Sequence, residues 1–187
     1  MTENGPATAG LARRRFLGLG VAGLAMVTGW PAMAARLAVP ERVASFDNLH
    51  TGETLRTVYW AEGGYVPEAL REIDHVLRDF RTDEVLSIDP ALIDLLFALR
   101  REMGSTAAFG VISGYRSPAT NARLQRNGGG GVATRSLHMV GKAIDIRLPG
   151  RRLRDLREAA LGLRGGGVGY YPRSNFVHVD TGRVRFW

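Results

Sequence analysis

The stretch SLHMVGKAIDI, residues 136–146, sets one histidine, His138, seven residues ahead of one aspartate, Asp145, with Gly141 and the small Ala143 between them. Its second half, continued as KAIDIRL, alternates as a strand does: Ile144, Ile146 and Leu148 take one face, while Ala143, Asp145 and Arg147 take the other. Asp145 therefore points away from the core. Further along, NFVHVDTG repeats the pattern, with Val177 and Val179 directed inward and Phe176, His178 and Asp180 sharing the opposite face. Two strands thus offer polar groups to one cleft.

Working outward, the remaining elements mix strands and helices without a regular βαβ rhythm. RVASFDNLHTGETLRTVYW reads as two strands around a hairpin at His50-Thr51-Gly52-Glu53, where Thr51 and Gly52 supply turn geometry and His50 closes the turn. Pro67 opens a helix with Leu70, Ile73, Leu77 and Phe80 at helical spacing, and His75 falls off that stripe as a surface residue. Asp89-Pro90 gives an N-cap followed by proline at the first helical position, so ALIDLLFALRREM continues as a helix. AAFGVISG reads as a strand, and Ser117-Pro118 starts a short helix. The run NGGGG, residues 127–131, is a flexible loop, either a tolerated insertion or a mobile rim over a cleft. Leu153, Leu156, Ala160 and Leu163 mark a last helix, and GGGVGYY with FVHVDTGRVRFW ends the sequence as strands or a terminal hairpin. The fold class expected is α+β: a single compact domain with a largely antiparallel sheet flanked by helices.

The first 34 residues differ from the rest. Arg13 and Arg14, followed by Arg15, Phe16 and Leu17, precede an uncharged apolar run to about Thr28 and a small-x-small site at Ala32-Met33-Ala34. This is the order of a twin-arginine export signal, with a domain from residue 35 to 187 behind it; a retained N-terminal anchor is the other reading. Removing residues 1–34 takes away three arginines and Glu3, so the formal charge of +7 falls by two and stays basic. In an exported protein that charge points to anionic envelope polymers rather than to nucleic acid, and to membrane only through an uncleaved signal. With no cysteine among 187 residues, any metal must be held by histidine and carboxylate, and only His50, His75, His138 and His178 exist.

Two imidazoles and a carboxylate suit a catalytic zinc, which takes such ligands at roughly 2.0–2.2 Å and keeps a position open for water. Peptide hydrolysis is the natural chemistry. Taken alone, a His and an Asp seven apart also fit an ordinary polar surface. SLHMVGKAID, however, has the form S-x-H-x-x-G-x-A-x-D, and with a later His on a strand it resembles the metal-binding motif of the M15 peptidases. NLHTGE, SGYRS and GVGYYPRSNFVHVDTGRVRFW extend the resemblance to the murein endopeptidase K branch, over residues 43–187. The resemblance implies a hedgehog/D-Ala-D-Ala peptidase-like fold, one zinc ion, and hydrolysis of peptidoglycan peptide crosslinks in the periplasm. It assigns His138, Asp145 and His178 as metal ligands and sets Arg116 near the substrate carbonyl, to stabilise an oxyanion or hold a carboxylate.

One position departs from the family pattern. The glutamate base usual three residues ahead of the last histidine is replaced by Asn175. Asp180, two residues beyond His178 on the same strand face, is the substitute base, with ligand orientation as its competing role. Ser136, Tyr115, Tyr170 and Tyr171 are candidate substrate contacts, and Gly141 and Ala143 are expected to let the backbone approach the metal. Two rivals stay open: a D,D-carboxypeptidase, and a metal-containing peptidoglycan-binding protein without turnover.

Overall fold

The computed structural model describes residues 40–127 and 132–187. The expected export signal and residues 128–131 of the glycine run lie outside them. The elements, in order, are β1 (Arg42–Asn48), β2 (Thr54–Ala61), β3 (Gly64–Tyr65), α1 (Pro67–Val76), α2 (Pro90–Glu102), β4 (Phe109–Ser113), α3 (Pro118–Asn127), a 3-10 turn (Leu137–Val140), β5 (Ala143–Arg147), α4 (Leu153–Leu163), β6 (Gly167–Tyr171), β7 (Phe176–Asp180) and β8 (Arg185–Phe186). The strands form one sheet in the order β3-β2-β1-β4-β5-β7-β6-β8. Five of its seven pairings are antiparallel; β1 with β4 and β6 with β8 are parallel. The α+β expectation with a largely antiparallel sheet holds. No helix of the described residues is long and apolar enough to cross a membrane.

The local reasons follow the chemistry of the residues. Asp89 caps α2 by accepting from the Ala91 N–H at 2.9 Å, with Pro90 at the first helical position, where no N–H is missed. At the β1–β2 hairpin the Asn48 carboxamide accepts from the N–H groups of His50 (3.0 Å) and Thr51 (3.3 Å), and His50 stacks on Phe80 with ring centroids 3.9 Å apart. His75 is exposed as expected. Helix α1 stops at Val76, before Phe80; Leu77 caps it, and the Leu77 carbonyl accepts from the Tyr115 N–H at 2.8 Å, tying the helix end to the chain leaving β4. The ending is a hairpin only in part. β6 and β7 pair antiparallel, but β8 crosses to the far side of β6 and runs parallel to it, held by Trp187 N–H on the Val168 carbonyl (3.2 Å) and Tyr170 N–H on the Trp187 carbonyl (3.1 Å).

One core gathers the inward residues of the strands with the apolar stripes of the helices. Phe46, Phe109, Val111, Ile144, Ile146, Val177, Val179 and Val168 meet Ile73, Leu77, Leu92, Leu96, Leu99, Leu156 and Ala160. Each of these side chains contributes roughly 1.5–3 kcal/mol by leaving water, less for the alanine. The consequence for function is a matter of register. Ile144 opposes Val179 and Ile146 opposes Val177 on the core face, so the residues between them, Asp145 and His178, oppose each other on the other face. Ser113 on β4 and Gly169 on β6 continue that row.

Candidate active site

Asp145 and His178 come from neighbouring central strands, and His138 is brought above them by the 3-10 turn. The turn ends at Gly141 in the left-handed region (φ 68°), where a side chain would run into the backbone of Ser87. This corrects the expected role of Gly141: it closes the turn against the segment before α2 and frees no space at the ligands. From there the chain enters β5 in two residues, so a separation of seven becomes a contact. His138 Nε2 lies 3.3 Å from Asp145 Oδ1, and His178 Nδ1 lies 2.9 Å from the same oxygen.

The two imidazoles have fixed tautomers. His138 donates its Nδ1–H to the Gly114 carbonyl at 2.7 Å, which leaves the Nε2 lone pair facing the cluster. His178 donates its Nε2–H to Asp180 Oδ2 at 3.0 Å, which in the neutral ring leaves the Nδ1 lone pair facing the same point. These nitrogens are 3.1 Å apart, and with the Asp145 carboxylate all three ligand atoms lie within 4.8 Å of one another. Two lone pairs and an anion converging in a buried place repel each other unless a cation sits between them. The donor set, two imidazole nitrogens and one carboxylate with its outer hydrogen bonds in place, fits a divalent metal.

Without a metal, a proton shared between His178 and Asp145 takes the cation's place. Burial pushes the Asp145 carboxyl up, but the adjacent His138 and His178 rings outweigh it and hold the group well below the usual carboxylate range. Burial lowers His178, yet the carboxylates of Asp145 and Asp180 on either side carry its pKa above the ordinary 6.5.

Asp180 is fully buried on the far side of His178 from the cluster. Besides the imidazole it accepts from the N–H groups of Gly167 (3.0 Å) and Gly182 (2.8 Å) and from both terminal nitrogens of Arg185 (3.1 and 2.7 Å). Burial raises the Asp180 carboxyl, and these donors together bring it far below the usual range. A carboxylate with both oxygens so occupied is a poor proton acceptor; what it does well is hold His178 in one tautomer. Of its two readings, orientation fits the geometry. Asn175 lies exposed at a left-handed position (φ 53°) in the turn between β6 and β7, a conformation asparagine tolerates.

The cluster opens into a cleft of about 370 Å³. Arg116 lines it, nearly buried, with Nη2 3.5 Å from Asp145 Oδ2 and a buried Nε that has no partner. Ser136 and Tyr171 line it too, whereas Tyr115 and Tyr170 pack with the core. Seven further residues line it without any signal in the sequence to mark them: the apolar Val132, Ala133 and Leu137, and the charged or aromatic Arg135, Phe176, Arg185 and Trp187. Phe176 had been assigned to the right strand face without a role. The Trp187 indole fills the space above Gly169, 5.3 Å from the His178 ring by centroids, and donates its Nε1–H to the Tyr171 hydroxyl at 2.7 Å.

Comparison with known proteins bears on this arrangement directly. The model of the M15 peptidase family described as peptidoglycan L,D-endopeptidase MepK matches residues 36–187. The peptidoglycan L,D-endopeptidase MepK of Escherichia coli K12 is 44% identical over 176 residues, covering 94% of this chain and 96% of the relative. The probable peptidoglycan L,D-endopeptidase MepK of Haemophilus influenzae is 41% identical over 177 residues, covering 94% and 95%. A match across the whole described fold, including the strands that carry His138, Asp145 and His178, places this chain in the MepK family of M15 peptidases.

Proposed function

We propose that this chain is a zinc-dependent peptidoglycan endopeptidase that hydrolyses L,D-peptide bonds in the crosslinks of the cell wall. It would act in the periplasm after export through the twin-arginine signal of residues 1–34, with residues 35–187 as the working domain. The observation that carries the reading is the convergence of two lone pairs, His138 Nε2 and His178 Nδ1, on the Asp145 carboxylate. The names of the 44% and 41% identical relatives support the substrate class and the bond type.

A zinc ion held by His138, Asp145 and His178 would activate water and polarise the scissile carbonyl. The chain's own residues do the rest. Gly114 and Asp180 fix the two imidazole tautomers, so the ligand lone pairs are in place before substrate arrives. Arg116, an underpaired guanidinium turned into the cleft, stabilises the negative charge that develops on the carbonyl oxygen. Asp180 is a positioning residue and takes no proton.

The test is digestion of intact sacculi and purified crosslinked muropeptides, with products identified by mass spectrometry. Metal-loaded protein should split L,D-linked dimers into monomers, and alanine at His138, Asp145 or His178 should abolish both metal retention and cleavage while the domain stays folded. Release of free D-alanine from uncrosslinked pentapeptide in place of dimer cleavage would assign a D,D-carboxypeptidase. Binding to sacculi without any product would assign a binding protein.

A further inference from the structure

We propose that Arg135 recognises a free carboxylate on the residue next to the scissile bond, so that the cleft selects acidic peptides over their amidated counterparts. The inference rests on the peptidase reading above and adds its specificity.

It starts from the charges that line the cleft. Three guanidinium groups do so, Arg116, Arg135 and Arg185, against a single carboxylate, Asp145. Their surroundings separate them. Arg185 is closed in a two-pronged pair on the buried Asp180, at 3.1 and 2.7 Å, and its guanidinium carbon lies 5.0 Å from the centroid of the Trp187 ring. Its charge is neutralised where it stands. Arg116 is turned to Asp145 at 3.5 Å and is nearly buried, close to where the reacting carbonyl must come. Arg135 differs from both: it is exposed, and it forms no ion pair among the described residues.

Its place in the chain is as telling as its freedom. Arg135 lies three residues before His138, on the segment whose Ala133, Ser136 and Leu137 also line the cleft. Tyr171, Phe176 and Trp187 add aromatic surface that offers no countercharge. A neutral peptide in this cleft would leave the Arg135 charge to water alone. A carboxylate meets the planar guanidinium fork with two parallel N–H···O bonds, whereas an amide of the same shape turns one NH₂ donor against that fork. At an exposed guanidinium such a pair discriminates by roughly 5–10-fold. The cleft therefore separates peptides by whether the residue flanking the cut carries a free acid group outside the peptide backbone or its amide.

The experiment uses two crosslinked muropeptides that differ only in whether that carboxyl is a free acid or an amide. Turnover is measured on metal-loaded protein and equilibrium binding on metal-depleted protein, for the unmodified chain, Arg135→Gln, Arg135→Lys and Arg101→Gln, the last removing an exposed arginine outside the cleft. The unmodified chain should favour the acid by roughly 5–10-fold in Kd and in kcat/KM, the difference lying in KM. Arg135→Gln should bring the preference to within about 1.5-fold of unity, Arg135→Lys should fall between because it keeps the charge and loses the fork, and Arg101→Gln should keep the full preference. A preference that survives Arg135→Gln, or that is lost equally in Arg101→Gln, overturns the assignment. So does an unmodified chain that cuts both peptides alike, which leaves the peptidase reading standing. A chain that binds the acid preferentially through Arg135 yet cuts neither peptide does the reverse.

Discussion

Replacing Asp180 by asparagine separates orientation from proton transfer, because the two roles fail in different observables. The side chain keeps its size, but one oxygen becomes an NH₂ group. If the amide oxygen stays on the side of Gly167, Gly182 and Arg185 Nη1, the NH₂ takes the place of Oδ2 and meets His178 Nε2–H and Arg185 Nη2, donor against donor. His178 relieves its clash by moving its proton to Nδ1, and that removes the lone pair offered to the metal. Metal affinity should fall by roughly 10–100-fold, the usual effect of losing an outer partner of a ligand. Stability should fall as well, by about 2–4 kcal/mol: breaking a buried charge pair costs about 3–5, and Arg185, with 32% of its side chain exposed, can recover part of that in water. Competition with a chelator gives the first quantity and urea unfolding the second, and excess metal should restore most of kcat. A loss of roughly 10²–10⁴-fold in kcat at full metal occupancy is the mark of a missing general base and would refute the orienting role.

Three other outcomes are expected. In the metal-free protein the raised His178 pKa contributes stability that is complete below about pH 6.5 and lost as pH rises through the folded value, while the depressed Asp145 and Asp180 contribute stability that is complete above their ordinary range and lost as pH falls through their folded values. Chelated protein should therefore unfold at its highest temperature near about pH 5–6, whereas metal should stabilise increasingly as pH rises, because the ligand ring must be neutral; calorimetry with and without metal checks the opposite slopes. Gly169→Ala puts a methyl group 2.7 Å from the Trp187 ring and should displace the indole, lowering stability by about 1–3 kcal/mol and changing tryptophan fluorescence, with metal content unaltered. Arg13→Lys with Arg14→Lys should abolish periplasmic accumulation while purified protein keeps its activity, and unchanged accumulation would assign the general secretory route.

The meeting of Asp145 and His178 on one face was legible in the sequence because it depends on two simple regularities. Strand alternation sends Asp145 and His178 to the face opposite their isoleucine and valine neighbours, and antiparallel register sets them side by side once Ile144 opposes Val179. What alternation cannot supply is the direction of an individual atom. Asp180 shares a face with His178, and that alone fits a base beside the metal as well as it fits a partner behind the ring; only the approach of Gly167, Gly182 and Arg185 decides between them. Trp187 and Arg185 were invisible for a different reason. Their part in the cleft comes from β8 crossing β6, and a two-residue strand carries too few residues for a period to be read. Arg135 was hidden by composition: among 24 arginines one more has no contrast, until the structure shows which are already neutralised.

The two aspartates divide the work of holding the site between them. Asp145 sits on a strand with β4 on one side and β7 on the other, so its backbone is fixed by two ladders before any ion arrives. His178 is fixed equally by β5 and β6, and Asp180 then fixes its ring. The cluster is thus held without any contact from the turn at Asn175, which is exposed and left-handed where the chain reverses. Among the described residues Asp145 is the only carboxylate lining the cleft, and it is held by both imidazoles. The cleft consequently meets its substrate with cationic and aromatic groups, so binding there rewards a peptide that brings its own negative charge.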